Sequence, residues 1–260
     1  MKNFKIRCSA IGHIMGGNIG LTEKQNAELG QLYEKDKRTH LQELKMLDLI
    51  AKRDNPELPQ GAKTYCQDWL KGELFEYQKM VRTKYTDKGN IMEDESIDLI
   101  ADILGYGFLM KNEDHFQDEF MTGTPDVILK SEIIDVKNSW DCSTFPFFDE
   151  NIPNQDYYWQ LQGYMSLCNK DKAKLIYTLL DTPEHLIERE ARYYCISQGY
   201  EELEMSIYEQ FEKNMTYKNT PAKYRIKVFE VDRDNKAIEE IKMRVKLCRE
   251  YIEELKSKLS

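Results

Sequence analysis

The stretch from Gly123 to Lys137 constrains this chain more than any other part of it. It reads as a turn, a strand, a tight turn and a second strand ending in Ile134, Asp135, Val136 and Lys137. Side chains alternate faces along a strand, so Asp135 and Lys137 share one face while Ile134 and Val136 take the other. On the first strand Asp126, Ile128 and Lys130 point one way and Val127 and Leu129 the other. A short hairpin then sets Asp126 beside Asp135, and two carboxylates and an amine converge next to an apolar face.

Two carboxylates held close repel each other unless a cation lies between them, and hard oxygen ligands suit Mg²⁺ or Mn²⁺. A lysine beside such an ion orients water or stabilises charge developing on a phosphate. The competing interpretation is a surface hairpin with scattered charges. The residue set closely resembles the PD-(D/E)XK nuclease superfamily, with Pro125 and Asp126 as its first half and Asp135, Val136 and Lys137 as its second.

At 260 residues the chain suits one large domain or two small ones, and we read one domain over 1–260. Within it, 21–88 is a helical insertion or wall, 89–231 a core and 235–259 a terminal helix. Hydrophobic residues at 41% and charged residues at 32% describe an ordinary globular protein, with no apolar run long enough to span a bilayer. No signal-peptide pattern follows Met1 to Arg7, so the expected location is the cytoplasm, with no membrane contact. Cys8, Cys66, Cys142, Cys168, Cys195 and Cys248 are dispersed, which argues against a zinc ribbon, a disulfide framework or an iron–sulfur cluster. A net charge of −9 weighs against nonspecific coating of DNA but leaves room for a local basic channel.

In chain order, Lys2 to Cys8 suits a short strand, followed by a helix capped by Ser9, whose free N–H groups and neighbour Arg7 form an anion site. Thr22 and Gln25 form a capping box opening a helical region to about Arg53, with Leu29, Leu32, Leu41, Leu44, Leu47 and Leu49 on its apolar side. A second helix over about 62–81 packs through Tyr65, Trp69 and Leu70. Gly89 precedes a helix on which Glu93, Ile97, Ile100 and Leu104 share a stripe, placing an acid at the end of a buried face. Glu93 is therefore preferred over Glu95. Strands are expected over 107–111 and 115–121, and His115 is expected to be an ordinary surface histidine.

After Lys137 come Trp140, Phe145, Phe147, Phe148, Tyr157, Tyr158 and Trp159, rings that can stack on unpaired bases or pack under a loop. A helix over 156–168 puts Gln160 and Tyr164 on one face. A central strand over 174–180, a charged helical or irregular stretch over 184–192, a helix over 201–214 and a strand over 224–231 follow. The chain ends in a heptad of Ile238, Ile241, Val245, Cys248, Ile252, Leu255 and Leu259, read as a terminal helix packed on its own domain in preference to a subunit contact.

These features extend the resemblance over most of the chain. Gly89 and Glu93 match a family helix whose Glu faces the metal; Gln160 and Tyr164 match the Gln-x-x-x-Tyr motif of RecB-like and phage exonucleases; Arg7 and Ser9 are similar to a pair that holds a DNA 5′-phosphate in lambda and YqaJ-type enzymes. The resemblance implies an α/β, restriction-endonuclease-like fold with a mixed central sheet flanked by helices. It implies Mg²⁺- or Mn²⁺-dependent hydrolysis of duplex DNA from a 5′ end to leave a 3′ single strand. Two ions would be held by Glu93, Asp126, Asp135 and the Val136 carbonyl, with Lys137 and Gln160 in the catalytic set, Arg7, Ser9 and Trp140 on the DNA, and Tyr164 supporting the site or contacting the DNA. It further implies DNA ends, a single-strand annealing protein and a ring-forming homo-oligomer as partners, and a phage or prophage origin in a bacterial host. Many relatives carry Glu where this chain has Asp135, one methylene shorter. The alternatives are a RecB-like or CRISPR-associated endonuclease and a non-catalytic DNA-end-binding module.

Overall fold

Short polar caps start the helices and alternating apolar residues build the strands. The computed structural model describes residues 3–80 and 82–259. The chain opens with strand β1 (Ile6–Arg7), a 3-10 turn (Cys8–Ala10) and helix α1 (Ile11–Met15), followed by α2 (Glu23–Tyr33), α3 (His40–Asp54), α4 (Gln60–Leu74) and α5 (Lys84–Leu104). Next come β2 (Phe116–Gln117), β3 (Met121–Gly123), β4 (Val127–Ile128), β5 (Glu132–Asn138), α6 (Gln155–Leu167) and β6 (Lys172–Thr178). The remainder is α7 (Glu184–Ser197), α8 (Met205–Met215), β7 (Ile226–Asp232) and α9 (Asn235–Ser257).

Two sheets form. The smaller has the order β1-β3-β2 and the larger the order β4-β5-β6-β7. In the larger, β5 and β6 are parallel while β4 and β7 join antiparallel at the edges. A parallel pair needs a crossover, and α6 supplies it. The alternation along β5 then divides the core. Ile133 and its neighbour Leu175 face α6 together with Leu161, Met165 and α9 residues such as Val245, whereas Ile134 and Ile176 face Ile97 and Ile100 of α5. Asp135 and Lys137 lie on the α6 side of this divide.

The capping box expected at Thr22 with Gln25 forms, and Thr39 with Gln42 and Thr83 with Thr86 make two more. α9 buries Ile238, Ile241, Val245, Cys248 and Ile252 against its own domain, as the heptad suggested. No helix among the described residues is long and apolar enough to cross a membrane.

Several expectations are corrected. Ser9 caps nothing: it sits within the 3-10 turn, and the residue preceding α1 is Ala10, with no side-chain cap bond. Lys2, at the start of the expected strand, and Val81, at the end of the expected second helix, lie outside the described residues. That helix stops at Leu74, because the chain turns at Phe75 into Glu76, which has a φ of 49°. Gly89 lies inside α5 because the Thr83 cap starts the helix earlier. Residues 107–111 form no strand; they leave Gly107 at a φ of 75° and run beside α5, burying Leu109. Leu41, Leu44 and Leu47 are exposed, since α3 meets α2 through Met46, Leu49 and Ile50 instead.

Candidate active site

The site forms where β4 ends early. Its ladder pairs Val127 with Ile134 and Ile128 with Ile133, so Asp126, one residue before the strand, comes level with Asp135. The Val136 N–H, left without a strand partner on that edge, donates to Asp126 Oδ2 at 2.7 Å. Within a strand the N–H and C=O of one residue point to the same edge. The Val136 carbonyl therefore shares the open edge with Asp126.

Asp135 is 1% exposed. Gln160 Nε2 donates to its Oδ1 at 3.1 Å, and the Lys137 ammonium lies 2.5 Å from its Oδ2. Oδ2 has no well-angled hydrogen bond, so the lysine contact is a close ion pair and the oxygen retains a free lone pair. Gln160 Nε2 also donates to the Tyr164 hydroxyl at 3.1 Å, which makes the i, i+4 pair on α6 one hydrogen-bonded unit. Lys137 Nζ lies 4.9 Å from the centroid of the Tyr157 ring.

Electrostatics follow from this crowding. Burial, and then the neighbouring Asp135 carboxylate, push the Asp126 carboxyl up to about 7. Burial pulls the Lys137 ammonium down, but Asp135 and Asp126 outweigh it and hold its pKa above the ordinary lysine value. Burial and Asp135 push the Tyr164 hydroxyl well above its usual range. A pair of acids that resists joint ionisation is the donor chemistry expected of a hard-cation site.

Glu93, on α5, opens into the same cleft of about 830 Å³ as Ser9, Asp126, Asp135, Lys137 and Gln160. Its Oε2 accepts from Lys111 Nζ at 2.8 Å. Among the described residues no group of three or more His, Cys, Asp or Glu side chains is gathered tightly enough to hold a metal ion. The close pair is Asp126 and Asp135, with Glu93 drawn to Lys111.

Other expected residues are placed differently. Tyr164 is 5% exposed and braces Gln160, so it offers no surface to DNA. Trp140 is 4% exposed and packs with Leu186, Ile187 and Met215, leaving no open ring face. Arg7 is exposed but is engaged with the Tyr65 hydroxyl outside the cleft wall. His115 hydrogen-bonds the hydroxyls of Thr122 and Thr124, away from the acids.

Four further residues stand at or beside the site without a signal in the sequence that marks them. Lys111 holds Glu93. Asn138 donates to Ser96 Oγ at 2.7 Å while its own Oδ1 is buried and unpartnered. Lys88 is fully buried, donates to the carbonyls of Trp140 and Leu180 at 2.9 and 2.8 Å, and has its pKa lowered to about 8 by burial. Tyr157 was visible as a ring but not as the neighbour of Lys137. A lysine inside a helix, a lysine in a loop and an Asn at a strand end carry no spacing signal of their own.

A mixed sheet flanked by helices, with acids and a lysine on adjoining strands at one end, is the α/β, restriction-endonuclease-like fold. Solved structures share it. A phage related exonuclease from Haemophilus somnus 129PT superposes with a TM-score of 0.71 at 28% identity, over 100% of this chain and 98% of that one. The alkaline exonuclease LHK-Exo from Laribacter hongkongensis superposes with a TM-score of 0.54 at 12% identity, over 98% of this chain and 95% of that one, and its complex with dAMP gives the same TM-score at 14% identity, over 98% and 93%. No family model matches the sequence, and neither does any curated protein.

Proposed function

We propose that this protein is a divalent-cation-dependent DNA exonuclease of the phage recombination kind, hydrolysing one strand of duplex DNA from a 5′ end and leaving a 3′ single strand. The observation that carries the reading is the level pairing of Asp126 with Asp135, joined from one side by Lys137 and from α6 by Gln160. Full-length likeness to a phage related exonuclease supports the reaction class.

Asp126, Asp135 and the Val136 carbonyl would hold Mg²⁺ or Mn²⁺, a hard-oxygen set that fits such ions because Mg²⁺ takes one or two carboxylates and keeps several waters. Glu93 would join on leaving Lys111. When bound, the cation supplies Lewis acidity toward the scissile phosphate and lowers the pKa of an attacking water. The chain's own groups do the rest. Gln160 fixes the Asp135 carboxylate by donating to Oδ1. Lys137, held protonated by its two acidic neighbours, presents N–H donors to the attacking water and to the phosphate oxygen on which charge builds. Tyr157 lies against one side of the ammonium and leaves its other side open to the cleft. Ser9, exposed on the cleft wall, would take the terminal phosphate, with Arg7 reaching it only after release from Tyr65.

The test is digestion of linear duplexes labelled at the 5′ or 3′ end, with and without a 5′-phosphate, beside a closed circle. Early loss of the 5′ label in Mg²⁺, faster with the phosphate and absent in EDTA, is expected. Cutting of the circle would replace the proposal with an endonuclease, and no cutting of any substrate would leave an end-binding module.

A further inference from the structure

The cleft wall continues from the lysine into a line of rings. Tyr157 meets Tyr177 edge-on with centroids 6.3 Å apart, and Tyr177 meets Phe229 at 6.0 Å. Lys227 Nζ stands 5.5 Å over Phe229 and also donates to the Phe147 carbonyl at 3.3 Å. The Phe147 ring in turn contacts Phe148 at 4.9 Å and Tyr224 at 6.0 Å, with Lys223 Nζ 4.9 Å over Tyr224. Phe145, on the cleft wall itself, meets Phe147 at 6.0 Å.

Burial falls along this line. Tyr177 and Phe229 belong to the core, but Phe147 is 38%, Tyr224 46% and Phe148 88% exposed. The outer rings contribute little to the fold and keep apolar area in water, which is unfavourable unless something covers it. What surrounds them narrows the occupant. Two lysines flank the rings, a local positive pair on a chain of net charge −9, and the Arg225 Nε next to Tyr224 is buried without a hydrogen-bond partner. Asp149 and Glu150 follow Phe148 in the chain, and Asp149 lines the cleft.

Resting on the nuclease reading of the cleft, we propose that Phe147, Phe148 and Tyr224 form a stacking ledge for the unpaired bases of a DNA single strand at the cleft mouth. Exposed rings take bases of any sequence, because every base has a π face, while Lys223 and Lys227 meet the backbone phosphates. Bases within a duplex are already stacked on each other and have no free face to present. The ledge therefore separates the single strand from the duplex.

The test uses the full chain in EDTA, so that binding is read without turnover. Anisotropy of a labelled 12-nucleotide single strand should show roughly tenfold weaker binding for each ring removed in Phe148→Ala and Tyr224→Ala, with blunt-duplex affinity within about twofold of wild type. Phe148→Trp keeps the ring and adds a reporter, whose emission should be quenched by the single strand and not by the duplex. Unchanged single-strand affinity in the folded alanine double variant, equal losses for single strand and duplex, or an indifferent reporter would each overturn the ledge. Digestion of a linear duplex in Mg²⁺ by the same wild-type preparation separates the two proposals. Digestion with an indifferent reporter removes the ledge alone, and quenching without digestion removes the nuclease reading and leaves a single-strand-binding surface.

Discussion

Asp126 is where side-chain chemistry is most open to measurement. Its carboxyl is raised to about 7, against about 4 in an unfolded chain. A raised carboxyl contributes stability in full below the unfolded value, and that contribution is lost as pH climbs through the folded one. The cation-free protein should therefore lose on the order of 2 kcal/mol between about pH 4 and 7, after allowance for partial exposure. Asp126→Asn should flatten that slope in thermal melts taken in EDTA across the range. Lys137→Ala should slow duplex digestion at least about 100-fold, since it removes a charge aimed at the reacting phosphate. Gln160→Ala, which frees Asp135 Oδ1 without touching the lysine, should slow it by a smaller factor, about tenfold. Initial rates on an end-labelled duplex rank the two; equal losses would mean that Gln160 does more than orient the carboxylate. The carboxylates and Lys137 were legible because strand alternation places them without ambiguity. Tyr164 and Trp140 were legible as aromatic but not as buried, because burial depends on α6 and α7 docking from elsewhere in the chain.

Among the elements, α6 is held in the position that brings Gln160 to Asp135 partly by the close seating of its Gly163 backbone on the side chains of Ile11 and Cys8. A Cβ added at Gly163 would lie 2.6 Å from Ile11 Cδ1 and 2.9 Å from Cys8 Sγ. Gly163→Ala should then push α6 off the 3-10 turn and α1, at a cost of about 1–3 kcal/mol, and lower activity as well as melting temperature. Gly12→Ala tests the same packing from α1. Its Cβ would lie 2.1 Å from Asp156 Oδ1, which can rotate away, but also 2.9 Å from Asp156 Cβ, which rotation cannot move, so α1 and α6 must part slightly and the melting temperature should fall. α9 is tied down by Arg244, 3% exposed, which donates to the carbonyls of Ile14 and Gly17 at 2.8 Å each and pairs with Glu240 at 2.8 Å. Arg244→Met leaves those carbonyls unpaired and should cost about 3–5 kcal/mol in denaturant unfolding. The Thr22 capping box announced α2 and the terminal heptad announced α9. Helix ends were missed where local backbone decided them without a strong residue signal, as at Glu76 with its φ of 49° after Leu74 and at the Thr83 cap upstream of Gly89.

Taken whole, the molecule sets a four-stranded sheet between α5 and the helices on the α6 side, and the cleft opens where β4 stops. If the proposed cation binds at that opening, its binding should couple to global stability, because it would favour the ionised form of an Asp126 carboxyl that burial and Asp135 push up. Saturating Mg²⁺ at neutral pH should raise the melting temperature of the wild type, with about 2.7 kcal/mol expected at 100 times Kd. EDTA should reverse the shift, and the Asp126→Asn and Asp135→Asn double variant should show none. A wild type whose melting is indifferent to Mg²⁺ and Mn²⁺ would count against the proposed ligand set.

By itself the sequence determined the local grammar of this protein: the hairpin register that levels Asp126 with Asp135, the shared face of Asp135 and Lys137, and the helical pairing of Gln160 with Tyr164. Each is a consequence of a fixed backbone period acting over a few residues. Tertiary structure alone decided that Glu93 rests on Lys111, that Lys88 lies buried under the Trp140 loop, and that Phe148 stands exposed beside the cleft. Those outcomes depend on which distant surfaces meet, and no local period encodes them.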